Sequence, residues 1–222
     1  MHRCIVRIVQ QRVTKRRSET RQRVLDAALD VFADQGFGRA TVEQICDRAG
    51  FTRGAFYSNF ASLDDLFFAM WERNSDAMLT ELRAAAADAL SGDETVPISV
   101  SAIAERALAV VPVDGRWYRV NAEFTAHALR HPPLERALAA RENAIADAIV
   151  EILGTALAAA GRRVVGDPRV LARALVAVHD GTSVQCLVDA DTSAWRLRRD
   201  LVARVVDSYT EPLPEQPEET VQ

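Results

Sequence analysis

TVEQICDRAGFTRGAFYSNF, residues Thr41–Phe60, decides how the rest of the chain is read. Thr41 and Gln44 form the T-x-x-Q pair whose side chains cap a helix start reciprocally. Val42, Ile45 and Ala49 then recur at helical spacing on one face. Gly50 stands where a left-handed helix stop is wanted. Two residues on, Thr52 caps a second helix, with Phe56 and Phe60 four apart on its inner side. That leaves Arg53, Gly54, Tyr57, Ser58 and Asn59 turned mostly outward. Two helices joined by so short a turn can lay the second in a major groove while the first crosses the DNA backbone.

Upstream, Ser18 to about Gln35 carries Val24, Leu25, Ala28, Leu29 and Phe32 on one stripe, which predicts a helix ended by Gly36. Residues 1–17 hold Arg3, Arg7, Arg12, Lys15, Arg16 and Arg17 without clean periodicity. They read as a disordered basic arm attracting phosphates diffusely. The alternative is a native start near Val13, which would leave residues 1–12 outside the native protein.

Downstream, Ser62 with Asp65 repeats the capping signature and opens a long helix to about Leu90, broken by Ser91-Gly92-Asp93. Helices are then expected over 97–111, 116–130 and 134–160, with His131-Pro132-Pro133 as stop and restart. After a loop at 161–168, two more are expected over about 169–189 and 194–209. In these last two the apolar residues occupy more than one face, from Leu171, Leu175 and Val178 to Leu187 and Val188, then Trp195, Leu201, Val202, Val205 and Val206. A helix apolar on two sides needs a second partner, and a symmetric dimer supplies one. The competing account is a single-chain core. EPLPEQPEETVQ, residues 211–222, is acidic and Pro-rich and reads as a disordered tail.

Composition agrees with an all-α fold of about nine helices: 222 residues, 49% hydrophobic and 26% charged, with only eight Pro and ten Gly. No uncharged apolar run approaches a membrane span, so the cytoplasm is the expected location. Cys4, Cys46 and Cys186 and the four His show no disulfide framework or metal-ligand spacing, and neither metal nor cofactor is expected. The net charge of −4 is uneven. Residues 1–60 carry 11 Lys+Arg against 6 Asp+Glu, and the remainder 16 against 25. A basic head on an acidic body suits a protein that grips a polyanion at one end.

The Thr41–Phe60 unit and the helix before it resemble the DNA-binding head of the TetR family of bacterial transcriptional regulators. The resemblance rests on Leu25, Ala28, Phe32, Gly36, Phe37, Thr41, Val42, Ile45, Ala49, Gly50, Arg53, Gly54, Phe56, Tyr57, Phe60, Ser62 and Leu66. Beyond residue 70 it is one of pattern, with HDGTSVQ, His179–Gln185, similar to a stretch of the family's eighth helix. It implies a helix-turn-helix head (18–63) and a helical ligand-binding and dimerisation body (64–210). It further implies a homodimer on a palindromic operator in double-stranded DNA, most simply a repressor, released by a small-molecule effector. Thr41, Thr52, Tyr57 and Asn59 are then phosphate contacts, Arg53 and Gly54 lie nearest base edges, and Ser58 belongs to the same DNA-binding set. Leu63 departs from the pattern, since the family usually has Lys there. Cys46, usually Ala, reads as a small packed thiol, with a redox switch as the alternative.

Met78, Trp117, Tyr118, Glu123, Phe124, His127 and His179 combine apolar faces with polar tips and are the effector-binding candidates. Plain core packing competes for the aromatics, and Glu123 and His127 are spaced to hold either a ligand or each other. A ligand-responsive activator of the same fold is the alternative within this class. Outside it stand a helical enzyme recruiting Glu123, His179 and Asp180, and a helical dimer reaching membranes or proteins through the basic arm.

Overall fold

The structure, a computed structural model, describes residues 2–90, 99–189 and 191–214. In chain order its helices are α1 (His2–Gln35), α2 (Val42–Ala49), α3 (Arg53–Tyr57), α4 (Leu63–Leu90), α5 (Val100–Val110), α6 (Gly115–Ala128), α7 (Pro132–Ala159), α8 (Pro168–Val188) and α9 (Ser193–Ser208). A single 3₁₀ turn, Phe37–Arg39, links α1 to α2. Two short strands, β1 (Arg162–Val164) and β2 (Thr210–Pro212), pair antiparallel with Arg163 opposite Glu211. Among the described residues no helix is long and apolar enough to cross a membrane.

Three expectations change. Helix α1 begins at His2 rather than Ser18, so the stretch expected to be a disordered arm is helical; neither Gly nor Pro interrupts residues 2–35. The expected 161–168 loop contains β1, and Glu211 and Pro212 of the expected tail form β2. Arg162 explains the ribbon: its guanidinium donates to Thr210 Oγ1, the Thr210 carbonyl and Asp207, each at 2.9 Å. The expected break at Ser91–Asp93, the helix start at Pro97 and residues 215–222 lie outside the described residues.

The chain divides into two compact units. One comprises residues 1–74 and 114–132, the other 75–113 and 133–222. The division falls inside α4 and places α6 with α1–α3, whereas the sequence alone suggests a single cut near residue 63. In the first unit, Val24, Leu25, Ala28 and Phe32 of α1 are buried, as are Ile45, Phe56, Phe60, Leu66 and Phe67. In the second, Leu153 and Leu157 of α7 form a cluster with Leu171 and Ala172 of α8 and Val206 of α9.

Candidate nucleic-acid interface

Local chemistry fixes the two short helices. Thr41 N–H donates to Gln44 Oε1 at 2.9 Å and Gln44 N–H returns to Thr41 Oγ1 at 3.3 Å, a complete capping box. Gly50, at φ +71°, closes α2 in the left-handed region, which a side chain would strain. Thr52 Oγ1 accepts from Ala55 N–H at 3.3 Å and starts α3. Phe56 and Phe60 are fully buried, their ring centroids 5.7 Å apart, and anchor its inner side.

Two arginines of α1 hold the carboxyl ends of both helices, and a third lies over the Phe60 ring. Arg23 donates to the Ala49 carbonyl at 2.9 Å, and its guanidinium lies 4.7 Å from the Phe51 ring centroid. Arg21 lies 4.8 Å from the Phe60 ring centroid. Arg17 donates to the Ser58 carbonyl at 2.9 Å and to Asn59 Oδ1 at 3.4 Å. A cation at a helix carboxyl end complements the dipole there as well as filling an open carbonyl. Sequence spacing assigns Arg17 to the disordered arm; here it is a brace for α3. The pairing is invisible in the chain order because the partners lie 41 positions apart. Arg48, with Asp30 and Asp34 at 3.4 Å, is likewise used within the head. Arg17, Arg21, Arg23 and Arg48 thus each also serve a contact within the head.

The outward face of α3 is polar and open. Tyr57 is 52% exposed, and Thr52, Arg53 and Gly54 are exposed beside it. Arg53 Nη1 is 2.7 Å from Glu43 Oε1, and its guanidinium lies 6.0 Å from the Tyr57 ring centroid. A Cβ built at Gly54 would meet only Thr52 Oγ1, at 3.8 Å. Thr41 is exposed at the start of α2. The Ser58 hydroxyl donates to the Ala55 carbonyl, and the Asn59 amide donates to the same oxygen, each at 2.8 Å. Both of these side chains thus hydrogen-bond at the close of α3. Leu63, in the place of the usual Lys, is half-buried. Cys46 is buried, and burial pushes its thiol upward, opposite to what a reactive thiolate needs.

The effector candidates split between the units. Phe124 is fully buried and stacked on Phe67 at 3.6 Å between centroids, and Trp117 stacks on Phe67 from 5.9 Å. Glu123 accepts from the Phe37 backbone N–H at 2.6 Å, and His127 Nε2 is 3.4 Å from Asp64 Oδ1. Neither holds the other. Gly36, at φ +86°, lies under the Glu123 carboxylate: a Cβ there would come within 2.9 Å of Oε2. Arg116, also on α6, pairs with Asp30 of α1. Tyr118 is half-buried on the same helix.

Met78 and His179 belong to the second unit, where both are half-buried. His179 Nδ1 accepts from Arg198 Nη2 at 3.0 Å. Burial, with the nearby Arg198 charge, lowers the imidazole to about 4. Arg198 is only 2% exposed, and its partners are neutral: His179, Ser183 Oγ at 3.2 Å and the Val111 carbonyl that ends α5, at 3.4 Å. The clue to it lay in the α9 stripe Ala194, Arg198, Val202, Val206, where a charged residue occupies an apolar position. A 460 Å³ cavity in this unit is lined by Ser99, Val100, Arg162, Arg204 and Asp207 among others, and by none of the predicted effector residues. On α8 and α9, Val188 (73%), Trp195 (48%), Val170, Leu187 and Leu197 are exposed.

Known proteins share this arrangement. The family model for bacterial regulatory proteins of the tetR family matches residues 24–70. That for the C-terminal region of BetI-type transcriptional repressors matches residues 100–211, half of the chain. The HTH-type transcriptional regulator AcrR of Shigella flexneri is 40% identical over 82 residues, 37% of this chain and 36% of its own. SrpR of Pseudomonas putida, another HTH-type regulator, is 60% identical over 42 residues, 19% of this chain and 20% of its own. The chain thus spans about a third or less of the length of these curated relatives. Over nearly the whole chain, a TetR-family regulator from Mesorhizobium loti has the same fold. Its TM-score is 0.65 at 17% identity, covering 87% of this chain and 96% of its own. The multidrug binding protein EbrR, solved with imidazole, superposes with a TM-score of 0.58 at 28% identity, covering 89% of this chain and 93% of its own.

Proposed function

Because this chain belongs to the TetR family of transcriptional regulators, we propose that it binds a palindromic operator as a homodimer through α3 and acts as a repressor released by a small-molecule effector. The observation that carries the reading is Gly54. Glycine within a helix costs roughly 1 kcal/mol relative to alanine, yet nothing in the head fills the space where a side chain would go. Its place between Arg53 and the exposed Tyr57 suits a helix that another surface must approach closely. Phosphate contacts from Thr41, Thr52 and Tyr57 would set register, and Arg53 would read a base edge. Ser58 and Asn59 contribute by closing α3.

The exposed apolar residues of α8 and α9 support the dimer, since a two-fold pairing would cover them. The match to a BetI-type repressor body supports repression, and the likeness to a multidrug binding protein supports an organic effector. Coupling of about 1–3 kcal/mol between effector and operator would change DNA affinity roughly 5–150-fold. Against a catalytic role, Glu123 and His179 are engaged with Phe37 and Arg198.

Selection of bound sequences from a random duplex library tests the reading. The expected product is an inverted repeat whose half-sites lie about one helical turn apart, or a multiple of it. Enrichment of no inverted repeat at low ionic strength would remove the proposal.

A further inference from the structure

Glu43 stands in the first turn of α2, with its carboxylate oxygen 2.7 Å from Arg53 Nη1 at the start of α3. Both side chains are more than half exposed, and Arg53 also lies beside the Tyr57 ring. The guanidinium is thus held between a carboxylate from one helix and a phenol from the next. An exposed pair of this kind adds little to stability. Nor does α2 depend on it for its start, which the Thr41–Gln44 box already closes. The pair sits instead on the face that a duplex would meet.

We propose that Glu43 is a specificity-determining residue for the DNA reading set out above, on which this inference rests. Two effects follow from its position. Arg has a long side chain with several rotamers, and holding Nη1 on Glu43 presents the remaining Nη2–Nε edge already aligned for guanine O6 and N7. At the same time, a negative charge on the groove-facing side opposes the phosphates. On a sequence without the right guanine, Arg53 can gain a phosphate only by leaving Glu43 unpaired among like charges. Glu43 therefore weakens binding to random duplex more than binding to the operator, and its worth is measured as a ratio of affinities.

The test compares the full chain with Glu43→Gln and Arg53→Ala. Each is titrated into the selected inverted repeat, the same duplex with the discriminated base pair replaced in each half-site, and a random duplex, at two salt concentrations. Glu43→Gln keeps the side-chain length and should melt with the wild type. It should bind random duplex roughly 10-fold tighter, with a salt dependence steeper by about one per half-site. Its discrimination at that base pair should fall roughly 10-fold, while Arg53→Ala should lose discrimination there altogether. If Glu43→Gln matches the wild type on all three duplexes while Arg53→Ala loses discrimination, Glu43 has no such role and α3 still reads DNA. Failure of the wild type to prefer any inverted repeat would overturn the DNA reading, and the role of Glu43 with it.

Discussion

Two arginines contrast the halves of this molecule. Arg53, in the head, is exposed and paired with a carboxylate. Arg198, in the body, is 2% exposed and bonded only to neutral groups. The surroundings follow the same inversion. In the head, aromatic rings fill the interior and the exposed face is polar, with Thr52, Arg53, Gly54 and Tyr57 in a row. In the body, Val188, Trp195 and Leu197 are outside and a charge is inside. A polar face on a well-anchored helix suits a hydrated, charged partner such as DNA. An apolar face suits a second protein surface, and a buried cation ties three helices together at one point.

The sharpest way to break the contrast is at Phe124, which the sequence nominates for the effector and the structure buries against Phe67. Phe124→Ala should lower stability by about 3–5 kcal/mol, measured by denaturant unfolding. A variant with wild-type stability and an altered effector response would move Phe124 from core to pocket.

A somewhat smaller effect should mark the buried cation. His179 is held neutral, at about 4 against an ordinary value of about 6.5, so below pH 6.5 the unfolded chain binds a proton that the fold refuses. The stability tied to this group is present above pH 6.5 and is lost progressively as the pH falls to about 4, by at most about 3 kcal/mol. Asp180 works in the opposite sense, because burial raises its carboxyl and acid then favours the fold. His179→Gln keeps an acceptor for Arg198 and removes only the imidazole's titration. Unfolding at pH 7 and pH 4.5 should show a larger loss for the wild type than for His179→Gln; equal losses would mean that the imidazole is not held neutral.

What could be read in the sequence follows the same line between the halves. The Thr41–Gln44 and Ser62–Asp65 caps, the Gly50 stop and the Phe56–Phe60 anchor are local features, none joining residues more than four positions apart, and the structure contains all of them. Tertiary pairing hid the rest. Arg17 meets Ser58 across 41 positions, Glu43 meets Arg53 across a turn, and Glu123 reaches Phe37 from α6. Phe124 and Trp117 were ambiguous for another reason: aromatic residues at helical spacing give one pattern whether they line a pocket or fill a core. The second apolar face of α8 and α9 showed in the periodicity, whereas Arg198 left only the trace of one charged residue at an apolar position of the α9 stripe, with nothing to say which partners would bury it.

Gly54→Ala is the smallest change and tests the central claim most directly, because its two readouts should move in opposite directions. With space around the added methyl and a better helix former in α3, the variant should be as stable as the wild type or more so, by up to about 1 kcal/mol. Its affinity for the selected inverted repeat should nonetheless fall at least roughly 10-fold, because the methyl holds α3 away from the base edges. Unchanged operator affinity in a stable Gly54→Ala protein would contradict the account, since the open face of α3 would then not be where DNA is met.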